Sequence, residues 1–165
     1  MPNFNSMKEL EMFLLLKVKT AMEVTVAQEV KQLESKNVKE VVYNSYSPKI
    51  YDRDMNDGGL SDVDNMHHNI ISNGITTELT VENKTISNPS YNPNNKDPFE
   101  IACLVEFGNN NGYGYYDYPI KNKDTSNFSY LKPRPFIEKT KQDLLNGKAK
   151  EILVKALLNE GIRSM

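Results

Sequence analysis

The first quarter of the chain carries the pattern of one long helix. Ser6-Met7-Lys8-Glu9 reads as a capping box, in which the Ser6 hydroxyl accepts a hydrogen bond from the main chain of Glu9 and the Glu9 carboxylate reaches back. Apolar residues then recur at three- and four-residue intervals, and no Gly or Pro occurs from Asn3 to Tyr46. The pattern predicts a core helix over residues 6–37, about 45 Å long at 1.5 Å per residue.

A β-hairpin is predicted near the middle of the chain. Two runs with β-forming residues, 69–72 and 76–83, are separated by Asn73-Gly74, a strong signal for a tight turn. In the second run, Leu79 and Val81 alternate with polar residues. This alternation indicates a strand with one buried face and one solvated face.

Two further segments have the composition of strands. Residues 41–46 are β-branched and aromatic and precede Pro48, and residues 101–107 form a nearly continuous apolar run. Together with the hairpin they predict an antiparallel sheet of about four strands within residues 41–107, with the apolar run at its centre.

The polar segments between these elements predict loops, and the chain end predicts a second helix. Residues 47–65 are rich in Asp, Asn and Gly, and residues 108–132 are rich in Gly, Asn and Tyr, so both are expected to project. Pro135 suits a first helical position, and apolar residues at helical spacing follow it. We expect a C-terminal helix over residues 135–160, weakened at Gly147 and capped by Gly161.

The expected architecture is an α+β fold in one domain, residues 1–165, with both helices packed on one face of the antiparallel sheet. A chain of 165 residues is long enough for one core of moderate size. Its formal charge of −2 gives no overall basic field, so composition does not favour binding to nucleic acid. Charged residues interrupt the apolar N-terminal run, so neither a signal sequence nor a membrane span is expected.

The single cysteine, Cys103, has no partner for a disulfide and lies in the apolar run 101–107. We interpret it as a small buried hydrophobe in a reducing compartment, which makes a thiol-dependent enzyme an unfavoured alternative. The chain also lacks the GxSxG, Walker and GxGxxG motifs. We therefore expect no catalytic site and no cofactor.

A metal-dependent enzyme is the other catalytic alternative. Asp62, Asp64, His67 and His68 offer oxygen and imidazole ligands, but adjacent histidines on a strand point to opposite faces. The acidic segment 52–58 matches a calcium loop only in part, since neither the glycine nor the bidentate glutamate of that loop stands at the required position. The sequence therefore predicts neither a dedicated calcium site nor a dedicated transition-metal site.

The aromatic residues of the second long loop predict an interaction segment. Tyrosines lie among Lys121, Lys123 and Lys132, and such a segment could stack on single-stranded nucleic acid. Tyrosine is also enriched in protein interfaces, because its ring buries a large area at low entropic cost. Contact with protein is the favoured interpretation, with packing on its own domain and a single-stranded nucleic-acid-binding module as alternatives.

Three short motifs occur in a characteristic order. A loop carries Tyr51, Arg53, Gly58, Gly59 and Leu60, a later segment ends in Val105-Glu106-Phe107-Gly108, and Arg134-Pro135-Phe136 opens the last helix. In this order the chain resembles the tail-completion and head-to-tail joining family of tailed bacteriophages and prophage-like particles. The resemblance covers most of the length.

The resemblance implies a structural protein and no enzyme. Members of that family form rings, commonly hexamers, which complete the tail tube and join it to the head connector. It implies that copies of this chain associate with one another in a ring. The ring is expected to contact the tail tube protein and the head connector or stopper proteins. DNA is expected only to pass through the lumen of the ring. The expected location is the virion neck or tail end, and the bacterial host cytoplasm during assembly.

From these motifs we expect a charged pair between Glu106 and Arg134 that orients the long loop, and burial of Phe107 and Phe136 where strand meets helix. The alternative is that these residues only determine the fold. The full set of expected interaction residues is Tyr51, Arg53, Gly58, Gly59, Leu60, Glu106, Phe107, Gly108, Tyr113, Tyr115, Tyr116, Tyr118, Arg134, Pro135 and Phe136.

Overall fold

The computed structural model describes residues 3–45, 58–74, 76–86, 101–108 and 133–162. None of the helices within these ranges is long and apolar enough to cross a lipid bilayer.

The N-terminal helix is confirmed and is longer than predicted. It comprises α1 (Met7–Thr20), a π-helical stretch (Ala21–Val26), α2 (Ala27–Asn37) and a second π-helical stretch (Val38–Tyr43). The backbone stays right-handed at every junction, so the segments form one rod. Its start is capped as expected, since the Ser6 Oγ accepts the N–H of Glu9 at 3.2 Å, while the Glu9 carboxylate reaches back to the N–H of Asn5 at 2.8 Å.

The strand predicted over residues 41–46 is wrong within the described residues, since the chain there continues the helix through Tyr43. The reason is tertiary packing. Val38 and Val42 are four residues apart on one helical face, and both are buried against other elements, with 0% and 4% of their surface exposed. This burial outweighs the modest preference of β-branched residues for strands.

The hairpin is confirmed and is longer than predicted. β1 (Met66–Asn73) pairs antiparallel with β2 (Thr76–Asn83), with Ile70 opposite Leu79. Gly74 in the turn has a φ of +59°, which glycine adopts without strain. In the described ranges the sheet has these two strands and not about four.

The central strand predicted over residues 101–107 is also wrong, because this segment is the helix α3 (Ile101–Phe107). A short apolar run does not by itself distinguish a strand from a buried helix. Ala102 and Glu106, four residues apart, are both buried, as expected for one face of a helix. Cys103, interpreted as a small buried hydrophobe, is only half-buried.

The C-terminal helix is confirmed with a break at Gly147. It comprises α4 (Phe136–Asp143), a kinked stretch (Leu144–Lys148) with non-helical backbone at Asn146 and at Gly147, whose φ is +113°, and α5 (Ala149–Asn159). Gly161, with a φ of +80°, ends it as predicted. The N–H of Gly161 donates to the carbonyl of Leu158 and that of Ile162 to Leu157, which is a Schellman motif.

Among the described residues, most of the buried apolar side chains form two clusters at different levels of the N-terminal rod. The cluster near its C-terminal end is formed by Val38, Val42, Leu60, Ala102 and Phe136. The other is formed by Ala21, Val26, Ile152 and Ala156, with Leu79 of β2 packed against it. The first cluster therefore fixes α3 and the start of α4 against the end of the rod.

Candidate functional site: the joint between α3 and α4

The Val-Glu-Phe-Gly and Arg-Pro-Phe motifs meet in space. We call this region the α3–α4 joint, defined as residues 105–108 together with residues 134–138. The Glu106 side chain is 4% exposed, and its two oxygens accept the main-chain N–H groups of Ile137 at 2.8 Å and of Glu138 at 3.0 Å. These donors belong to the first turn of α4, where no carbonyl of the same helix is available to them. A residue 31 positions away in the sequence therefore caps this helix.

The need for a remote cap follows from the local sequence. Pro135 stands at the N-cap position of α4 and offers no side-chain acceptor. A carboxylate at this end also interacts favourably with the positive end of the helix dipole. Glu106 thus supplies both the missing acceptor and the complementary charge.

Main-chain contacts hold the rest of the joint. The N–H of Arg134 donates to the carbonyl of Val105 at 3.0 Å, and the N–H of Phe136 donates to the carbonyl of Arg134 at 2.8 Å. The Phe136 ring is fully buried in the core cluster, so its predicted burial is confirmed. Gly108 follows α3 with a φ of +65°, a conformation that favours glycine.

The predicted burial of Phe107 is wrong, since 61% of its surface is exposed. In a helix, successive side chains are about 100° apart, so the turn that directs Glu106 inward leaves Phe107 outside. The joint therefore presents an aromatic side chain to solvent at the end of a fixed helix.

The Glu106 carboxylate is oriented by main-chain donors, and Arg134 enters the joint through its own main chain. Burial raises the pKa of Glu106, and the N–H groups that it accepts act in the opposite direction. The charged pair with Arg134 stays a prediction.

A second buried carboxylate, Glu34 of α2, was missed by the sequence analysis. It is 5% exposed, and its Oε1 accepts a hydrogen bond from the Asn83 Nδ2 at 3.1 Å. Burial raises its pKa, the Asn83 hydrogen bond lowers it, and the negative charge of Glu106 raises it further. The signal was present in the sequence, since Glu34 lies four residues before Val38 on the buried face of the helix.

The same network fixes the glycine-containing segment before the hairpin. The Asn83 Nδ2 also donates to the carbonyl of Leu60 at 2.9 Å, and the N–H of Ser61 donates to the Tyr43 hydroxyl at 3.2 Å. Leu60 and Gly59 are buried, whereas Gly58 is exposed with a φ of +81°. Leu60 therefore belongs to the core, and its role in an interface stays a prediction.

The residues of the metal alternative do not converge. The Asp62 carboxylate accepts the N–H groups of Gly58 at 2.7 Å and of Asp64 at 3.0 Å, and these bonds lower its pKa. His67 and His68 are both exposed and are neighbours on β1. Within the described ranges, no group of three or more His, Cys, Asp or Glu side chains could hold a metal ion.

Several expected interaction residues lie outside the described residues and stay predictions: Tyr51, Arg53, Tyr113, Tyr115, Tyr116 and Tyr118. The same holds for the acidic segment 52–57 and for the Tyr- and Lys-rich segment proposed to bind single-stranded nucleic acid.

The fold is mixed, with a helical rod, a hairpin and a remotely capped helix packed through two clusters of buried apolar side chains. A family model for YomN matches residues 6–163, and the chain belongs to the YomN family. The family name is phage-derived, from a Bacillus prophage, and marks this chain as a phage-related protein. No curated protein and no solved structure gave a significant match to the chain.

Proposed function

We propose that this protein is a structural subunit of the phage neck or tail end. In this proposal identical copies form a ring that completes the tail tube and joins it to the head connector. The subunit turns over no substrate and needs no cofactor. Membership of a phage-derived family supports the phage setting.

The α3–α4 joint is the observation that carries the proposal. It unites the two motifs on which the resemblance to tail-completion proteins chiefly rests, through the Glu106 cap and the bond from Arg134 to Val105. The Tyr-rich segment 109–132 lies between the two motifs in the sequence, so the joint fixes the positions of the residues that flank this segment. A rigid base with an aromatic-rich segment is suited to contact between subunits.

Phe107 is the anchor of this contact in our proposal. Aromatic side chains on fixed backbone contribute strongly to interfaces, because they bury a large area with little loss of conformational freedom. Phe107 is 61% exposed next to a buried cap, so its position is fixed while its ring is free to enter a pocket on a neighbouring subunit.

Sedimentation velocity and negative-stain imaging of the purified protein test the ring. The wild type should form rings at micromolar concentration, and Phe107→Ala should shift the population towards smaller species. Leu145→Ala is the matched control, since Leu145 is a large apolar residue, 76% exposed, outside the joint. A wild type that stays monomeric at high concentration, or rings that persist unchanged in Phe107→Ala, would count against the proposal.

The position in the particle needs a separate measurement. Antibody labelling of purified phage particles should mark the junction between head and tail, and the protein should co-purify with tail tubes. Label confined to the capsid shell or the tail fibres would exclude the neck assignment even if rings form.

A further inference from the structure

The helix α1 carries large apolar residues between its charged ones, yet none of its residues is buried. Met12 and Leu16 are each 63% exposed, and Met7 is 71% exposed. Large apolar side chains that lie exposed near one another are normally covered by other protein. This feature indicates that part of α1 is an interaction surface.

One side of α1 is tied to the body of the protein. The Lys17 Nζ lies 2.9 Å from the Glu160 Oε2, beyond the end of α5. Phe13 is half-buried, and its ring lies 5.1 Å from that of Phe4. At about 100° per residue, Met12 and Leu16 lie roughly a quarter turn away from Phe13 and Lys17. They are therefore on a side that the body leaves open.

The open side carries a self-complementary pattern. Glu9, Met12, Leu16 and Lys19 follow one another at intervals of three, four and three residues, which is the spacing of a seam between two paired helices. All four side chains are exposed. Glu9 and Lys19 are equally distant from Leu14, and so are Met12 and Leu16. When two copies of α1 run antiparallel, each acidic residue of the pattern therefore lies opposite a basic residue of the other copy, and each apolar residue lies opposite an apolar one.

We propose that α1 pairs with α1 of a second copy of this chain, antiparallel, about a two-fold axis at Leu14. Met12 of each copy packs on Leu16 of the other, and Glu9 of each faces Lys19 of the other. A parallel pair would place like charges together at both ends, which is unfavourable. Since α1 is about 21 Å long, this contact is small and gives a weak dimer.

The pairing deepens the proposed function, because it names a second copy as the partner, but it rests on α1 alone and does not use the joint. A two-fold contact is isologous, so it adds to a ring contact and does not replace it. Self-association is therefore measured both for the wild type and for the Phe107→Ala variant, in which the proposed ring contact is weakened. Loss of rings in Phe107→Ala with a surviving dimer would separate the two interfaces.

Charge reversal tests the direction of pairing by sedimentation equilibrium at low salt. Lys19→Glu and Glu9→Lys should each weaken self-association about tenfold, since two repulsive contacts replace two attractive ones. An equimolar mixture of the two variants should associate as well as the wild type, because every contact in the mixed dimer is again attractive. Glu9 also caps the helix start, so circular dichroism must show that its helicity is kept. Lys19→Glu has no such complication.

Replacement of an apolar residue tests the seam itself. Leu16→Asp should weaken the dimer about a hundredfold, since it places a carboxylate in the contact. Val24→Asp is the matched control, because Val24 is 64% exposed on the same rod but about a quarter turn from the seam. A dimer that survives Leu16→Asp, equal loss in both variants, a mixture that fails to associate, or a monomeric wild type would each overturn the pairing.

Discussion

Glu34→Gln should stabilise this protein near neutral pH, because it removes a buried negative charge and keeps the hydrogen bond that Glu34 accepts. Glu34 is 5% exposed and accepts one hydrogen bond, from the Asn83 Nδ2 to its Oε1 at 3.1 Å. Glutamine retains an acceptor oxygen of the same shape, so that bond survives. What disappears is a buried negative charge and its repulsion from Glu106.

The expected gain in free energy of unfolding is on the order of 1 kcal/mol. Removing a charge from a buried position is worth more than this, but the new amide N–H₂ needs a partner in place of the second carboxylate oxygen, which offsets part of the gain. Urea denaturation followed by circular dichroism measures the difference, with coincident probes to establish two-state unfolding.

The pH dependence has a definite sign. Because burial raises the pKa of Glu34 in the folded protein, the stability from its neutral form is fully present below its unfolded pKa and is lost as pH rises through its folded pKa. The advantage of Glu34→Gln should therefore be largest near pH 7 and should shrink as pH falls towards the ordinary glutamate pKa of about 4.5. Asp62 and Asp143, whose pKa values are lowered, stay ionised over this window and do not alter the comparison.

Glu78→Gln controls for the change in net charge, because Glu78 is an exposed residue of β2. It should change stability by less than about 0.5 kcal/mol at either pH. A Glu34→Gln variant that is less stable than the wild type at neutral pH would show that the Glu34 carboxylate is a net stabiliser. A difference in stability that is the same at both pH values would show that the charge of Glu34 is not its cause. Either result would refute the prediction.

Other substitutions test the joint and the break in the C-terminal helix by the same urea assay. Glu106→Ala should lower the free energy of unfolding by about 2–3 kcal/mol, because two main-chain N–H groups at the start of α4 lose their acceptor; a loss below about 1 kcal/mol would mean that water replaces the cap. Gly147→Ala should lower the free energy of unfolding by about 1–2 kcal/mol although alanine favours helices, because a φ of +113° strains any residue other than glycine. No neighbouring atom is close enough to add a steric clash. A higher free energy of unfolding would show that the helix straightens in the variant. Arg134→Ala should weaken ring formation by analytical ultracentrifugation while the main-chain bond from residue 134 to Val105 persists; unchanged rings would reject an interface role for the guanidinium group.

Local signals predicted the elements whose determinants lie within a few residues of one another. The start of α1 depends on Ser6 and Glu9, and the hairpin turn depends on Asn73 and Gly74. The breaks at Gly147 and Gly161 likewise follow from a backbone conformation that glycine adopts most easily. These features needed no knowledge of the rest of the fold.

The two wrong strands share a physical cause. Residues 41–43 and 101–107 are mostly apolar, β-branched or aromatic, which fits a strand in isolation, but each segment supplies a helical face to the same core cluster. The choice between helix and strand was made by contacts with Leu60 and Phe136, which are distant in the sequence. The amino-acid composition of either segment does not reveal contacts with residues so distant in the sequence.

The sequence predicted the two motifs of the α3–α4 joint but not the Glu106 cap that connects them. The signal for this cap is the absence of a local capping residue before α4. Lys132-Pro133-Arg134-Pro135 contains no Ser, Thr, Asp or Asn to cap the helix that begins at Phe136. Since the first N–H groups of a helix need acceptors, a helix that starts against the core without a local cap requires one from elsewhere in the chain. Glu106 meets that need, and it does so only because α3 is a helix whose inner face carries Glu106 and whose outer face carries Phe107. The cap that stabilises α4 and the exposure of the proposed anchor therefore have one structural origin.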